Sequence, residues 1–379
     1  MNYEMTKEQI GTRFRMNSEF LYAVAPNRDL LEKSRSRRAL LIRENMNTLG
    51  RNGFLDLILE GDPMTWCIAG EDLAGMCPAT FLAAAVSAAG FGTLLQRFGT
   101  ASQKNERLPG LRRGEFLGTV ACGGSMAVSG IGGSVPRAER KKNGWVLGGT
   151  DPFVIGAPAA DAFLVLAESG PENNATFFIL NRRTKGLRIG KPVELLGLRG
   201  LPAAGIEMRS CFAPPEAVLG KEGSGREQIE AVTESLLLAA SVLSLGVGTS
   251  CLELTREYAK RKTAFGKPLG LLEDVGARLA TMFTMIDIGR LLVLRAAWAA
   301  ASGDPECGIL AACARLFTGE SVEKIADLGM QVHTAGGDVG NEGIERCFRD
   351  ARMAGAVFGS SGALRSRIAG ASLDRQGKP

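Results

Sequence analysis

Two glycine-bearing turns near the end of the chain carry its most chemically suggestive residues. Gln331-Val-His-Thr-Ala-Gly-Gly-Asp-Val-Gly follows one helical stretch. Glu345-Arg346-Cys-Phe-Arg349-Asp350-Ala-Arg352 re-enters helix, and Val357-Phe358-Gly359-Ser360 breaks it again before a last helix from Ala363 to Ala369. Glycines beside helix ends let a ligand approach exposed backbone N–H groups, an arrangement that suits a diphosphate. A turn that merely joins two helices has the same composition, so the pattern alone leaves both readings open. Metal chemistry matches less well. The eight cysteines lie scattered at 67, 77, 122, 211, 251, 307, 313 and 347, without a Cys-x-x-Cys pair, and His333 is the only histidine. A Cys/His metal centre is therefore not expected, and buried free thiols in a reducing cytosol are.

The stretch resembles the C-terminal signature of the acyl-CoA dehydrogenase family. There, Gln-x-x-Gly-Gly-x-Gly is followed by Glu-Arg, Arg-Asp-Ala-Arg and Glu-Gly-Thr. Gln331, Glu345-Arg346 and Arg349-Asp350-Ala351-Arg352 stand at the family spacing, as does Gly359, with Ser360 for the threonine. Positions 334–335 are Thr-Ala where the paired glycines usually sit. Gly336-Gly337 follow at once, and a two-residue slide of the loop would restore that contact. The glutamate is missing. Phe358 stands at the position of the family's usual catalytic base. Some members carry the base on a long helix, 29 residues before the Phe of a Phe-Gly pair. Counting back from Phe265 reaches Leu236, which is apolar too. Glu234 is a candidate displaced base, weighed against a solvated glutamate near a helix start, because two residues turn about 200° around a helix. One catalytic element needs no side chain. In the family, the backbone N–H at the Phe358 position polarises the thioester carbonyl.

The resemblance implies FAD, held between a β domain and a C-terminal bundle, with a neighbouring subunit closing over its diphosphate and adenine. The flavin would supply the redox chemistry and the protein position and field. Several expected contacts are altered. The family's Thr-Glu-Pro-x-x-Gly-Ser-Asp aligns with residues 123–130, where only Ser129 matches and Gly123 replaces the threonine that bonds the flavin edge. Trp-Ile-Thr, which packs on the flavin, aligns with Phe153-Val154-Ile155, keeping an aromatic face and losing a hydroxyl. In Tyr258-Ala-Lys-Arg-Lys262-Thr-Ala-Phe265-Gly266, Lys262 replaces the arginine that meets the diphosphate, so charge is kept without the two-pronged geometry. Glu273 stands where glutamine is usual. These positions, with Phe265, Gln331, Gly336, Gly337 and Ser360, form the expected cofactor set.

The elements that must hold these residues follow from period and punctuation. At 379 residues the chain exceeds one ordinary core, and two or three domains are expected. Residues 1–115 read as helical, with Leu30–Leu49 as one helix and Glu71–Phe98 as a long buried one. Residues 116–225 break into short apolar runs, Phe116–Cys122, Trp145–Gly149, Ala162–Ala167, Ala175–Leu180 and Ile206–Phe212. Asn143-Gly144 marks a hairpin, and the basic run Arg137–Lys142 leading into it reads as solvated charge. Residues 226–379 are helical again: Gln228–Lys262, Leu271–Ala301, Pro305–Leu328 and the final helix make a four-helix bundle. The fold class is thus α+β, with an N-terminal helical domain, a central small β-barrel and a C-terminal four-helix bundle. Formal net charge is +5, which suits an anionic small ligand and is too dispersed for nucleic acid. The N-terminus lacks a signal peptide's apolar core, and no run reaches roughly 18 apolar residues, so a cytoplasmic protein without a membrane span is expected.

Three functional readings remain open at this level. One is an FAD oxidoreductase acting on an acyl thioester, on CoA or a carrier protein, with an electron-transfer flavoprotein as a candidate acceptor and an unusual or missing base. Another is a silent partner in a mixed oligomer whose sister chain carries the glutamate. The last is a flavin monooxygenase on the same scaffold. A homodimer or homotetramer is expected if the chain assembles alone.

Overall fold

The computed structural model describes residues 5–123, 135–170, 174–333 and 343–374. The chain begins with α1 (Lys7–Glu19), which runs through a π-helical turn, Phe20–Val24, towards α2 (Asn27–Lys33) and α3 (Arg38–Arg51). The single helix expected over Leu30–Leu49 is therefore two. Ser34 leaves helical geometry at φ −105° and ψ 89°. The Arg38 guanidinium then donates to Leu31 O and Glu32 O at 2.9 and 2.8 Å, satisfying carbonyls that the break orphans. Next come α4 (Phe54–Glu60) and α5 (Pro63–Met76). The helix expected over Glu71–Phe98 also divides, because Pro78 has no N–H and pushes Cys77 out of the helical region, to φ −148°. Beyond it, α6 (Pro78–Ala84) continues through a π-helical stretch, Ala85–Gly92, into α7 (Thr93–Phe98).

A capping box starts α8 (Ala101–Arg112): Thr100 Oγ accepts from Gln103 N and Gln103 Oε1 accepts from Thr100 N. The same Gln103 side chain donates to Glu216 O and Val218 O at 2.8 and 2.9 Å. The Thr-x-x-Gln pattern is thus a helix start that also ties the helices to the end of the β region.

Among the described residues, seven strands form one sheet: β1 (Gly118–Ala121), β2 (Arg137–Lys141), β3 (Gly144–Ile155), β4 (Ala162–Glu168), β5 (Ala175–Asn181), β6 (Leu187–Ile189) and β7 (Ala203–Ala213). Their order is β1-β4-β2-β3-β7-β6, with β5 on β4. Alternate residues point into the curl, where Trp145, Leu147, Phe163, Phe178, Ile206 and Cys211 share one core. The basic run is a strand of the hairpin. Arg137 pairs with Gly148 and Lys141 with Gly144, and only Ala138 of β2 is buried.

The last region is helical. The helix α9 (Gly225–Arg261) has 37 residues, about 55 Å of axis. A two-residue hairpin, β8 (Thr263–Ala264) with β9 (Lys267–Pro268), leads to α10 (Glu273–Ser302) and α11 (Cys307–His333). Then come α12 (Ile344–Ala354) and α13 (Ser361–Asp374). Glycines let α9 lie close on α5: a Cβ at Gly246 would stand 2.5 Å from Ala74 Cβ. Two helical spans, Pro78–Phe98 and Gly225–Arg261, have the length and apolarity to cross a membrane, but 94% and 83% of their apolar windows are buried inside the protein.

Candidate functional site

The expected site residues fall into two groups. In the first, β3 presents Phe153 and Ile155, both buried. Asp151 organises that end of the strand. Its carboxylate accepts from Phe153 N at 3.2 Å and from Gly123 N at 2.8 Å, so one buried acid ties the strand to the residues just past β1. Thr119 Oγ donates to Ile155 O at 2.7 Å and fixes the strand's other edge. Ile155 then meets Leu236 of α9 and Phe358 around a void of about 20 Å³, room for roughly one water.

Phe358 sits in the turn after α12 with φ +56°, and the next residue, Gly359, has φ +136°. A positive φ on a phenylalanine costs on the order of 1–2 kcal/mol, so the surrounding contacts must impose it. The ring is 8% exposed. On its other side, Phe358, Leu236, Thr233 and Leu364 border a second cavity of about 290 Å³ between α9 and α13. Ser360 Oγ accepts from Ala363 N at 3.0 Å, so Ser360 acts as the start of α13.

No carboxylate lines either cavity among the described residues. Glu234, the candidate displaced base, faces away: its Oε2 accepts from the Cys307 thiol at 2.9 Å, where α11 begins. Burial and then Glu234 push that thiol up to about 11, so it stays protonated at neutral pH. The physical reason is the helical period, which places Glu234 and Leu236 on opposite sides of α9.

The second group lies at the far end of α9. Lys262 ends that helix in the open, with Nζ 5.7 Å from the Tyr258 ring. Tyr258 stacks on His333 at 4.1 Å. Gln331, exposed on the last turn of α11, accepts from Arg278 and donates to Asp327 at 2.8 Å. Phe265 is 92% exposed at the tip of the β8–β9 hairpin, with φ +53°. Glu273 is exposed at the first residue of α10. Ser129, Gly336 and Gly337 lie outside the described residues.

The structure thus gathers Ile155, Leu236 and Phe358 at one place and Lys262, Phe265 and Gln331 at another. Leu236 and the C-cap residue Lys262 are 26 residues apart along α9, about 39 Å of helix axis. Asp151 and Arg278 escape a reading by motif, since neither stands in one of the quoted signatures, whereas Tyr258 opens the Tyr258–Gly266 stretch without being marked there as a site residue.

Family comparisons agree with this architecture along the chain. Residues 22–115 match the acyl-CoA dehydrogenase N-terminal domain, 128–211 its middle domain and 224–373 its C-terminal domain. A probable acyl-CoA dehydrogenase of Bacillus subtilis, YngJ, is 27% identical over 97% of this chain and 99% of its own. An L-prolyl-[peptidyl-carrier protein] dehydrogenase of Pseudomonas fluorescens is 34% identical over 55% of this chain and 56% of its own. The structure of butyryl-CoA dehydrogenase from Megasphaera elsdenii superposes with a TM-score of 0.88 at 23% identity, covering 98% of this chain and all of that one. With all three domains matched in order, the chain belongs to the acyl-CoA dehydrogenase family.

Proposed function

We propose that this protein is an FAD-dependent oxidoreductase that binds an acyl thioester at the Phe358 turn and whose own side chains supply no carboxylate base there. The carrying observation is the wall around Phe358: both cavities it borders are lined without an acid among the described residues. An unactivated thioester α-proton is too weakly acidic to leave without a positioned acceptor. The trough between α9 and α13 is apolar apart from Thr233 and Arg367, and it suits an acyl or pantetheine chain. The carrier-protein relative supports a thioester reading that is not restricted to CoA.

The described residues fit the cofactor when two copies are counted. FAD would supply the hydride acceptor. Phe153 and Ile155 of one copy would face its ring system. Lys262, Arg278 and Gln331 of the next would meet its diphosphate, and the exposed Phe265 would cover it. Within one chain these groups are too far apart for one dinucleotide. Phe358 fills the space where the family's base would reach the substrate and leaves its backbone N–H as a donor.

A second reading rests on the same separation. If sites are completed across subunits, a sister chain bearing the glutamate could form the active half of a mixed oligomer. The absorption spectrum of the chain purified alone tests both. Bound yellow flavin supports the oxidoreductase. Colour that appears only on co-expression with a sister chain favours the mixed oligomer, and no flavin under either condition rejects the cofactor assignment.

A further inference from the structure

Arg315 is the largest side chain fully enclosed by the protein, at 1% exposure, in the middle of α11. Among the described residues it makes no salt bridge within 4 Å, although an unpaired buried cation is costly. Burial lowers it to about 10, with Glu323 the one neighbour opposing that, and it remains charged at neutral pH.

Its hydrogen bonds explain the cation. Nη2 donates to Ala354 O at 3.0 Å, Gly355 O at 2.8 Å and Val357 O at 2.7 Å, and Nε donates to Val357 O at 3.2 Å. Ala354 and Gly355 end α12, where the helix dipole leaves partial negative charge and a cation is favoured, and Val357 lies in the turn just beyond. Gly319 makes room for the guanidinium: a Cβ there would stand 2.4 Å from Nη1.

The carbonyl that receives two of these bonds shares its peptide with the Phe358 N–H. A trans peptide is planar, so its C=O and N–H point in opposite directions, and fixing one aims the other. Charge-assisted donors on the oxygen draw density from the nitrogen and strengthen the N–H as a donor, by about 10–30% per bond on condensed-phase estimates. The Phe358 N–H makes no hydrogen bond to any described residue. Its φ of +56° is the strained geometry that such a clamp must hold.

We propose that Arg315 is a positioning residue that orients and polarises the Val357–Phe358 peptide, so that the Phe358 N–H donates to the substrate's thioester carbonyl. This rests on the thioester reading above and adds to it the group that prepares the donor.

Val-Phe occurs once in the sequence, at 357–358. Full-length protein labelled with carbonyl-¹³C valine and ¹⁵N phenylalanine therefore gives a single carbonyl-to-amide cross-peak. The probe is crotonyl-pantetheine, already unsaturated and carrying the arm common to CoA and carrier proteins. Arg315→Met should move the Val357 carbonyl and Phe358 nitrogen signals, and Arg315→Lys should move them less. Should Arg315→Met fail to fold, Gly319→Ala displaces the guanidinium with a smaller change. Crotonyl-pantetheine should shift the wild-type peak, and affinity by calorimetry should fall about tenfold in the variants, as for one misaligned hydrogen bond.

Signals indifferent to a folded Arg315→Met or Gly319→Ala protein would overturn the assignment. So would a thioester that binds by calorimetry while the peak stays still. If the wild type binds no crotonyl-pantetheine at all, the thioester reading falls, and the assignment falls with it.

Discussion

In the proposed reading a phenyl ring at position 358 stands where the family places its acceptor, and the consequence is testable at that residue. General-base catalysis contributes about 10²–10⁴-fold, and a weakly acidic α-proton belongs at the upper end. Phe358→Glu should therefore let bound flavin bleach with a saturated acyl-CoA under anaerobic mixing while the parent stays yellow. The new carboxyl would sit beside Leu236 and Ile155 in an apolar void. Desolvation would raise it, so the bleaching rate should climb with pH through the neutral range. Rapid bleaching by the parent would instead mean a base outside the described walls. The expectation of a missing base at position 358 was legible, because the flanking Arg349-Asp350-Ala351-Arg352 and Gly359 set its register against the family pattern. The role of Arg315 was not. Its sequence signal is one cation inside Ala311-Ala-Cys-Ala-Arg315-Leu-Phe, and only the folded chain shows that α11 delivers it to the end of α12.

Among elements, α12 is pinned to the loop between β6 and β7. Arg349 pairs with Glu32 at 2.7 Å and Glu345 at 2.8 Å and donates to Leu196 O at 3.1 Å. Asp350 accepts from Leu198 N at 2.6 Å, and Leu198 itself has φ +53°. The signature's Arg-Asp pair is thus a structural tie beside the site. Burial raises the Asp350 carboxyl to about 6 from 3.8. Between those pH values the folded state holds a proton that the unfolded chain has lost, so this group's contribution falls as pH rises from about 4 to 6 and is flat above. The full effect is on the order of 2–3 kcal/mol. Asp350→Asn keeps an acceptor for Leu198 N and removes the titration. Urea unfolding of both proteins from pH 4 to 7 should show the variant gaining relative to the parent across that window, and parallel profiles would refute the buried-carboxyl account. The helical period revealed α9, α10 and α11 well, because long apolar faces repeat for many turns. The divisions at Ser34 and Cys77 were lost beneath the same period, although Pro78 was a visible stop. Strand β2 was legible only through the Asn143-Gly144 turn, because four of its five residues are exposed and charged, so no alternation survives.

For the whole molecule, distance along α9 decides what one chain can do. If the two groups hold one cofactor, as proposed, their separation of about 39 Å along α9 means that a second copy, or a sister, must bring them together. That separation is invisible to motif spacing, since a sequence states order and not which chain completes which site. The exposed surface agrees with assembly. Ile288, Leu291 and Trp298 are exposed on α10 near helical spacing, with Phe283 at 62% close by. Phe265 stands almost wholly in solvent at the hairpin tip. Sedimentation at micromolar concentration should find a dimer or larger species. Leu291→Glu, which puts a charge in the α10 stripe, should yield monomers that lose flavin on gel filtration. Phe265→Ala should leave assembly unchanged and weaken flavin retention, because burying such a ring contributes roughly 1.5–3 kcal/mol, a factor of about ten to a hundred. Comparing the two variants separates surface from site: one changes mass and flavin together, the other flavin alone. A wild-type monomer that holds its flavin through dilution would show that a single chain closes the site. The copy-to-copy arrangement of Lys262, Phe265 and Gln331 would then be wrong.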